Sequence, residues 1–429
     1  MGQLDKIYIY NVFPLLAGKF TDWASHFSRA SRMGFNWIFL NPVQRPGMSG
    51  SLYSIADYYG FNPLLLDDTS SKRPEDQVRE LLKGAGSMGL HVMIDLVVNH
   101  CSVDSPITES HPEWFLREED GSIAHPFADE NGKKVVWGDL ARFDHESSKD
   151  REGLYRYFHA IVKHLLELGF RGFRCDAAYQ VPQDFWSRLI SEVKEAYPEV
   201  LFFAETLGCT PSETRRTADA GFDYIFNSSK WWDFKSPWLM KQYVVTRDIA
   251  PSISFPESHD TVRLCEELDG NIDGIKQRYL FCALFSAGIM IPIGFEFGFR
   301  KKLHVVETRP ENWEETGIDL TGFIADVNGI KGEHAIFLED SPTLVLQADN
   351  PEILLMWKGS SRSDAEALLI MNKDVQNPQR FYAENIRDYL NGGAPIIDIS
   401  PEKALGHVPT PFSVDLRPGG CIVLAVPQE

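Results

Sequence analysis

Eight short apolar segments recur between residues 7 and 293: Ile7 to Phe13, Trp37 to Leu40, Val92 to Val98, Gly172 to Cys175, Leu201 to Ala204, Tyr224 to Phe226, Ser252 to Phe255 and Ile289 to Ile293. Each is too short for a helix, and most are rich in β-branched or aromatic residues, so they read as buried strands. Helical patterns lie between and after them: Trp23 to Met33, Glu75 to Met88, Gly153 to Leu168, Pro182 to Ala196, Ser212 to Ala220, Pro237 to Tyr243, Ile272 to Ser286 and Thr321 to Lys331. Phe158, Ile161, Leu165 and Leu168 share one helical face, which predicts packing against a sheet. Strand and helix alternating in this way is the pattern of a parallel α/β fold. Eight units fit a closed (β/α)8 TIM barrel. A doubly wound open sheet is the alternative, but no Gly-rich phosphate loop follows the first strand to support it.

Two regions break the alternation. About seventy residues separate Val98 from Gly172, and those from about 101 to 144 are rich in Pro, Gly, His and acidic residues without a sustained period. They read as an irregular loop insertion after the third strand, at the catalytic end. Beyond Leu338 the pattern becomes short alternating runs (LLMWKG, ALLIMN, FSVDL, CIVLAV) broken by Gly, Pro and Asn. Residues 1–338 are therefore expected to form the barrel and 339–429 a C-terminal antiparallel β-sandwich.

The 429 residues are 43% hydrophobic, 12% aromatic and 24% charged, the composition of a globular protein with a large core. Against 42 Lys and Arg stand 61 Asp and Glu, a net charge of −19 that argues against nucleic acid or an anionic membrane as partner. The N-terminal stretch MGQLDKIYIYNVFPLL reads as a strand and not as a secretory signal, and no run approaches the roughly 18 apolar residues of a membrane span. Six scattered cysteines without a CxxC pair read as free thiols. These features together predict a cytoplasmic protein; its oligomeric state is not legible.

A (β/α)8 barrel places its chemistry at the C-terminal ends of its strands. There the third strand carries Asp95, followed by Asn99 and His100; the fourth carries Arg174 and Asp176; the fifth ends in Glu205 and the seventh in His259 and Asp260. Residues two apart on a strand share a face, so Arg174 and Asp176 point the same way. Charges inside apolar strands need partners, and an ion pair between Asp95 and Arg174 is one solution. Two carboxyls about 5–5.5 Å apart form the arrangement of a retaining glycosidase, one attacking the anomeric carbon and the other, its pKa raised, protonating the leaving oxygen.

DLVVNH (Asp95 to His100), GFRCDAA (Gly172 to Ala178), FFAET (Phe202 to Thr206) and FPESHD (Phe255 to Asp260) resemble, in order, the four motifs of glycoside hydrolase family 13, the α-amylase family. The resemblance implies Asp176 as nucleophile, Glu205 as general acid/base and Asp260 as transition-state stabiliser. It also implies that Arg174 orients the nucleophile, that Asp95 supports it, and that His100, His259 and Tyr53 bind the sugar being cleaved. Ser54 and Ser258 depart from residues the family often uses, and Tyr179 and Gln180 replace a Lys-His pair on the acceptor side, where Tyr179 is a candidate substrate contact.

No cofactor is implied for the chemistry itself. A structural calcium, which family members often hold, would map to Asn99 and Asp139. The implied partner is an α-glucan, an oligo- or polysaccharide, cleaved at α-1,4 bonds through a covalent glycosyl-enzyme. An intracellular glucanotransferase of the bacterial maltosyltransferase branch is the alternative. Should its donor be a sugar phosphate, Arg300, Lys301 and Lys302 are candidates, although a surface basic run is the plainer reading. A non-catalytic glycan-binding relative is the second alternative. The aromatic run WWDFKSPW (Trp231 to Trp238) reads either as a packed helix start or as a sugar-stacking platform.

Overall fold

The computed structural model describes residues 6–130, 133–402 and 405–427, so the first five residues of the N-terminal strand reading lie outside it. Eight parallel strands close into a barrel: β1 (Ile7–Val12), β2 (Trp37–Leu40), β3 (His91–Leu96), β4 (Gly172–Cys175), β5 (Leu201–Glu205), β6 (Tyr224–Phe226), β7 (Ser252–Ser254) and β8 (Gly288–Pro292). Each pairs with its neighbours in sequence, and β8 returns to β1.

Strand alternation divides the core in two. Ile7, Ile9, Trp37, Phe39, Met93 and Phe203 point into the barrel with other inward residues. Tyr8, Tyr10, Ile38, Leu40, Val92 and Ile94 point outward and pack with the helices. This parity fixes the site: Asp95 follows inward Met93 by two, and Glu205 follows inward Phe203 by two. Arg174 registers beside Asp95 on the adjacent strand, so the two charges emerge side by side.

The crossover helices are α1 (Ala24–Arg32), α2 (Pro74–Ser87), α3 (Arg151–Leu168), α4 (Gln183–Ala196), α5 (Pro211–Ala218), α6 (Trp238–Thr246), α7 (Ile272–Phe285) and α8 (Thr321–Glu333). Their ends are set locally. Asp150 accepts the Gly153 N–H ahead of α3, Thr210 and Glu213 cap each other at α5, and Asn271 accepts from Gly274 at α7. Helix α3 buries Phe158, Ile161, Leu165 and Leu168, as its period predicts.

The insertion is more ordered than its sequence suggests. His100–Ser102 pairs with Leu140–Arg142, and Phe127–Glu130 with Lys133–Val136. A further ladder, Gln44–Pro46 with Ile55–Phe61, precedes α2 and carries Tyr53 in its turn. These pairings join segments of weak alternation, which is why periodicity alone missed them.

The C-terminal strands are β9 (Thr343–Leu346), β10 (Ile353–Gly359), β11 (Glu366–Asn372), β12 (Gln379–Ala383), β13 (Ile397–Asp398), β14 (Phe412–Leu416) and β15 (Cys421–Val426). Five form an antiparallel sheet in the order β9-β10-β11-β15-β13, while β12 and β14 pair separately. Ile353, Leu355, Leu368 and Ile370 on one face meet Phe381 and Phe412 of the separate pair. Leu354, Met356, Leu369 and Met371 on the other face join the barrel's outer core. The sheet is thus buried on both sides.

Candidate active site

Arg174, 5% exposed, is the hub of the barrel mouth. Its Nη1 donates to Asp95 Oδ1 and to Asp176 Oδ1, both at 2.7 Å, and its Nη2 lies 3.7 Å from Glu205 Oε2. The face of Phe39 closes the guanidinium from below, 5.8 Å away. One buried cation therefore holds three carboxylates, a pairing that buried charges require.

Glu205 is also held by the chain that follows β4. The Ala177 N–H donates to Glu205 Oε2 at 2.7 Å. Ala177 adopts a left-handed conformation (φ 43°, ψ 44°), which turns the chain into the 3-10 segment Ala178–Gln180. A non-glycine residue in that region is uncommon and marks a constrained backbone. Burial pushes the Glu205 carboxyl up to about 7; Arg174 opposes this and the Asp176 charge adds to it. Burial likewise raises Asp95 to about 6 against the pull of Arg174.

Asp260 behaves oppositely. Its carboxylate is 57% exposed, with Oδ2 3.0 Å from His259 Nε2. Desolvation alone would raise it, but His259, Arg174 and Lys302 outweigh that and hold it at about 2. The same His259 Nε2 meets the Tyr53 hydroxyl at 2.7 Å, and the two rings stack 5.8 Å apart at 8°. Tyr53 in turn donates to Asp95 Oδ2 at 2.7 Å and accepts from Asn41 Nδ2 at 2.9 Å. Asp95, Tyr53 and His259 thus form a continuous strut from β3 to the loop after β7.

Arg174, Glu205, Leu207, Phe255, His259 and Asp260 line a small cleft, about 10 Å³ in volume, at this end of the barrel. Nδ1 of buried His259 lacks a hydrogen-bond partner, and buried His100 stands beside the Tyr53 backbone. Unpaired buried polar atoms are costly and call for a ligand. Beside His100, Asn99 donates to Gln180 Oε1 at 3.0 Å, and Gln180 donates to the Tyr179 hydroxyl at 3.3 Å. The structure therefore joins Asp95, Arg174, Asp176, Glu205, His259, Asp260 and Tyr53 in one network and places Tyr179 on the turn that leads from Asp176.

The two residues of the calcium expectation, Asn99 and Asp139, lie beside the cleft-side insertion. The Asn99 amide nitrogen donates to Gln180 Oε1, and the Asp139 backbone carbonyl takes hydrogen bonds from Val103 and Ser54; these bonds use neither of the side-chain oxygens that a cation would take. Among the described residues no group of three or more His, Cys, Asp or Glu is placed to hold a metal ion. Calcium needs six to eight oxygens, and two named residues leave most of that shell unsupplied.

Sequence reasoning missed the Glu257–Arg263 pair. Each side chain is 1% exposed, joined at 2.7 Å, and Glu257 also accepts the Leu264 N–H. Arg263 then donates to the carbonyls of Ile293 and Lys301. This ties the Asp260 loop to the segment after β8. Two charges six apart, the first in the FPESHD motif, were the available signal. The aromatic run divides: Trp232 is buried against Phe281, while Trp231 is 51% exposed.

A closed eight-stranded parallel barrel with small inserted sheets and a C-terminal antiparallel sheet is the fold of the α-amylase family, glycoside hydrolase family 13, and the chain has that fold. The family comprises glycoside hydrolases and transglycosylases. An α-amylase from Lactobacillus plantarum superposes with a TM-score of 0.79 at 19% identity, covering 98% of both chains. A family model for the glucanotransferase domain of glycogen debranching enzyme matches residues 3–120. Among curated proteins, the chain is similar to α-1,4-glucan:maltose-1-phosphate maltosyltransferases. That of Burkholderia pseudomallei is 24% identical over 85% of this chain and 32% of its own length. That of Mycobacterium tuberculosis is 28% identical over 91% and 61%. The chain thus spans between a third and three-fifths of these relatives. Among the described residues no helix is long and apolar enough to cross a membrane, and all six cysteines are free.

Proposed function

We propose that the chain is a retaining α-glucan-active enzyme that cleaves α-1,4-glucosidic bonds. The carrying observation is the Arg174 hub, which brings Asp176 and Glu205 to one guanidinium at the barrel mouth. Asp176 Oδ attacks the anomeric carbon as the bond to the leaving oxygen breaks, and Glu205 gives that oxygen its proton. An incoming hydroxyl then returns a proton to Glu205 and attacks the same carbon, releasing Asp176. The separation of carboxyl environments supports this division of labour: Glu205 at about 7 keeps a large protonated fraction near neutrality, and Asp260 at about 2 stays charged beside developing positive charge. The ring nitrogens of His100 and the unpaired Nδ1 of His259 suit the hydroxyls of the bound sugar.

A second reading is transfer of a maltosyl unit from a phosphorylated donor. It draws on the names of the curated relatives and on a pocket lined by Lys301, Lys302 and His304, whose Lys302 acts electrostatically on Asp260. One experiment separates the readings: incubation with maltooligosaccharides, with and without maltose 1-phosphate, reading product lengths. Shorter products alone support hydrolysis; phosphate-dependent lengthening supports transfer. Equal activity in the parent, Asp176→Asn and Glu205→Gln would sink the catalytic assignment and leave a glycan-binding protein.

A further inference from the structure

Trp231 ends the short 3-10 turn Ser229–Trp231 that follows β6, at the same end of the barrel as Asp176, Glu205 and Asp260. Half of its side chain faces water, which is costly for so large an apolar group and is not forced by mobility, because its surroundings are fixed. The Ser229 hydroxyl accepts the Phe255 N–H, tying the turn to the end of β7. Lys230, 3% exposed on its side chain, pairs with Glu267. The next residue, Trp232, is buried, donates from Nε1 to the Ser236 carbonyl at 2.7 Å and accepts from Arg278 at 2.5 Å. Both neighbours of Trp231 are anchored, and its ring alone is presented outward.

That ring is continuous with the cleft. It stands edge-on to Phe255 at 6.2 Å and 87°, and Phe255 lines the cleft with Glu205 and Asp260. Phe255 itself is fully buried, so Trp231 is the exposed ring of this pair, seated against a residue of the cleft wall. An exposed, rigid, flat apolar face beside a site for polyhydroxy rings suits the C–H face of a pyranose. We infer that Trp231 is a stacking platform for a glucan residue outside the position of cleavage, and that it sets a preference for chains longer than a disaccharide. The inference rests on the α-glucan reading above.

The test compares kcat/KM for maltoheptaose with kcat/KM for a short aryl maltoside. In Trp231→Ala that ratio falls about tenfold, Trp231→Phe restores most of it, and Tyr382→Ala, which removes an equally exposed aromatic from the C-terminal domain, leaves it unchanged. A ratio unaltered in Trp231→Ala overturns the inference. Calorimetric titration of maltoheptaose into Asp176→Asn, with and without Trp231→Ala, judges the platform independently of turnover. About tenfold weaker binding without Trp231 supports it, and equal or absent binding in both overturns it. A parent that binds maltoheptaose through Trp231 yet turns over neither substrate refutes the catalytic reading alone.

Discussion

The barrel buries charge at both of its ends, and it treats that charge differently. At the end opposite the cleft, Asp340 accepts the Ser252 N–H and hydroxyl through Oδ2 and the Ala287 N–H through Oδ1, at 2.7 to 2.8 Å. Lys331 donates to the carbonyls of Ser286 and Phe337, and Lys358, from β10 of the C-terminal sheet, donates to Phe285. Charges there bond mainly to backbone and fasten the C-terminal sheet to β7, β8 and α7. At the mouth, Arg174 holds three carboxylates, yet Nδ1 of His259 has no partner and Asp260 remains over half exposed. Charge bound into backbone is structural, and charge that clusters on side chains at an open mouth awaits a ligand.

The largest expected effects follow from that contrast and have opposite readouts. Asp176→Asn lowers kcat by about a thousandfold or more, because it removes the attacking carboxylate, while the thermal midpoint changes little. Asp340→Ala does the reverse. It strands two backbone N–H groups in a buried seam, at a cost of about 3–5 kcal/mol in denaturant unfolding, with activity per folded molecule retained. A stability loss in Asp176→Asn as large as that in Asp340→Ala would erase the distinction between the two ends.

How legible these regions were in the sequence differs in the same way. Position at the strand ends marked Asp95, Arg174 and Glu205 for the barrel mouth, and a two-residue spacing put Arg174 with Asp176; apolar residues on both faces of β3 and β5 left the phase to the structure, where Met93 and Phe203 point inward. The seam was not legible. Asp340 lies in a linker without periodicity and Lys358 sits in an apolar strand, LLMWKG; only tertiary pairing shows why each is tolerated. The insertion's ladders and the Glu257–Arg263 strut were hidden for the same reason: their partners lie across loops rather than along a period.

A pH series tests the two ends with opposite signs. The Glu205 carboxyl, raised to about 7 from an ordinary value of 4.5, must be protonated to act as acid, so kcat falls as pH rises through about 7. Because the folded state binds this proton more tightly than the unfolded chain, its contribution to stability is present below about 4.5 and is lost as pH rises toward 7. Lys358 is depressed to about 8 from 10.5 by burial, with Asp340 opposing, so the unfolded chain binds more protons between those values and this group's contribution favours folding progressively from about 8 to 10.5. Glu205→Gln should abolish the first trend and Lys358→Met the second, each read from midpoints across pH. Exchanged effects would overturn the assignment of acid and seam.

The smallest effect probes how firmly the mouth is set. Ala177 sits at φ 43°, where a side chain costs about 1 kcal/mol that glycine does not incur. Glycine also loosens the unfolded chain by a comparable amount, so Ala177→Gly should alter unfolding free energy by less than about 1 kcal/mol. The substitution retains the N–H that donates to Glu205 Oε2, and that bond favours the charged carboxylate. If the turn is held by its surroundings, the basic limb of the kcat profile stays where it is. If Ala177 itself holds the turn, the freed backbone weakens the bond, Glu205 becomes harder to ionise, and the limb moves to higher pH. The anchors on either side, Asp176 N–H to the Leu96 carbonyl and Gln180 Nε2 to the Tyr179 hydroxyl, favour an unmoved limb.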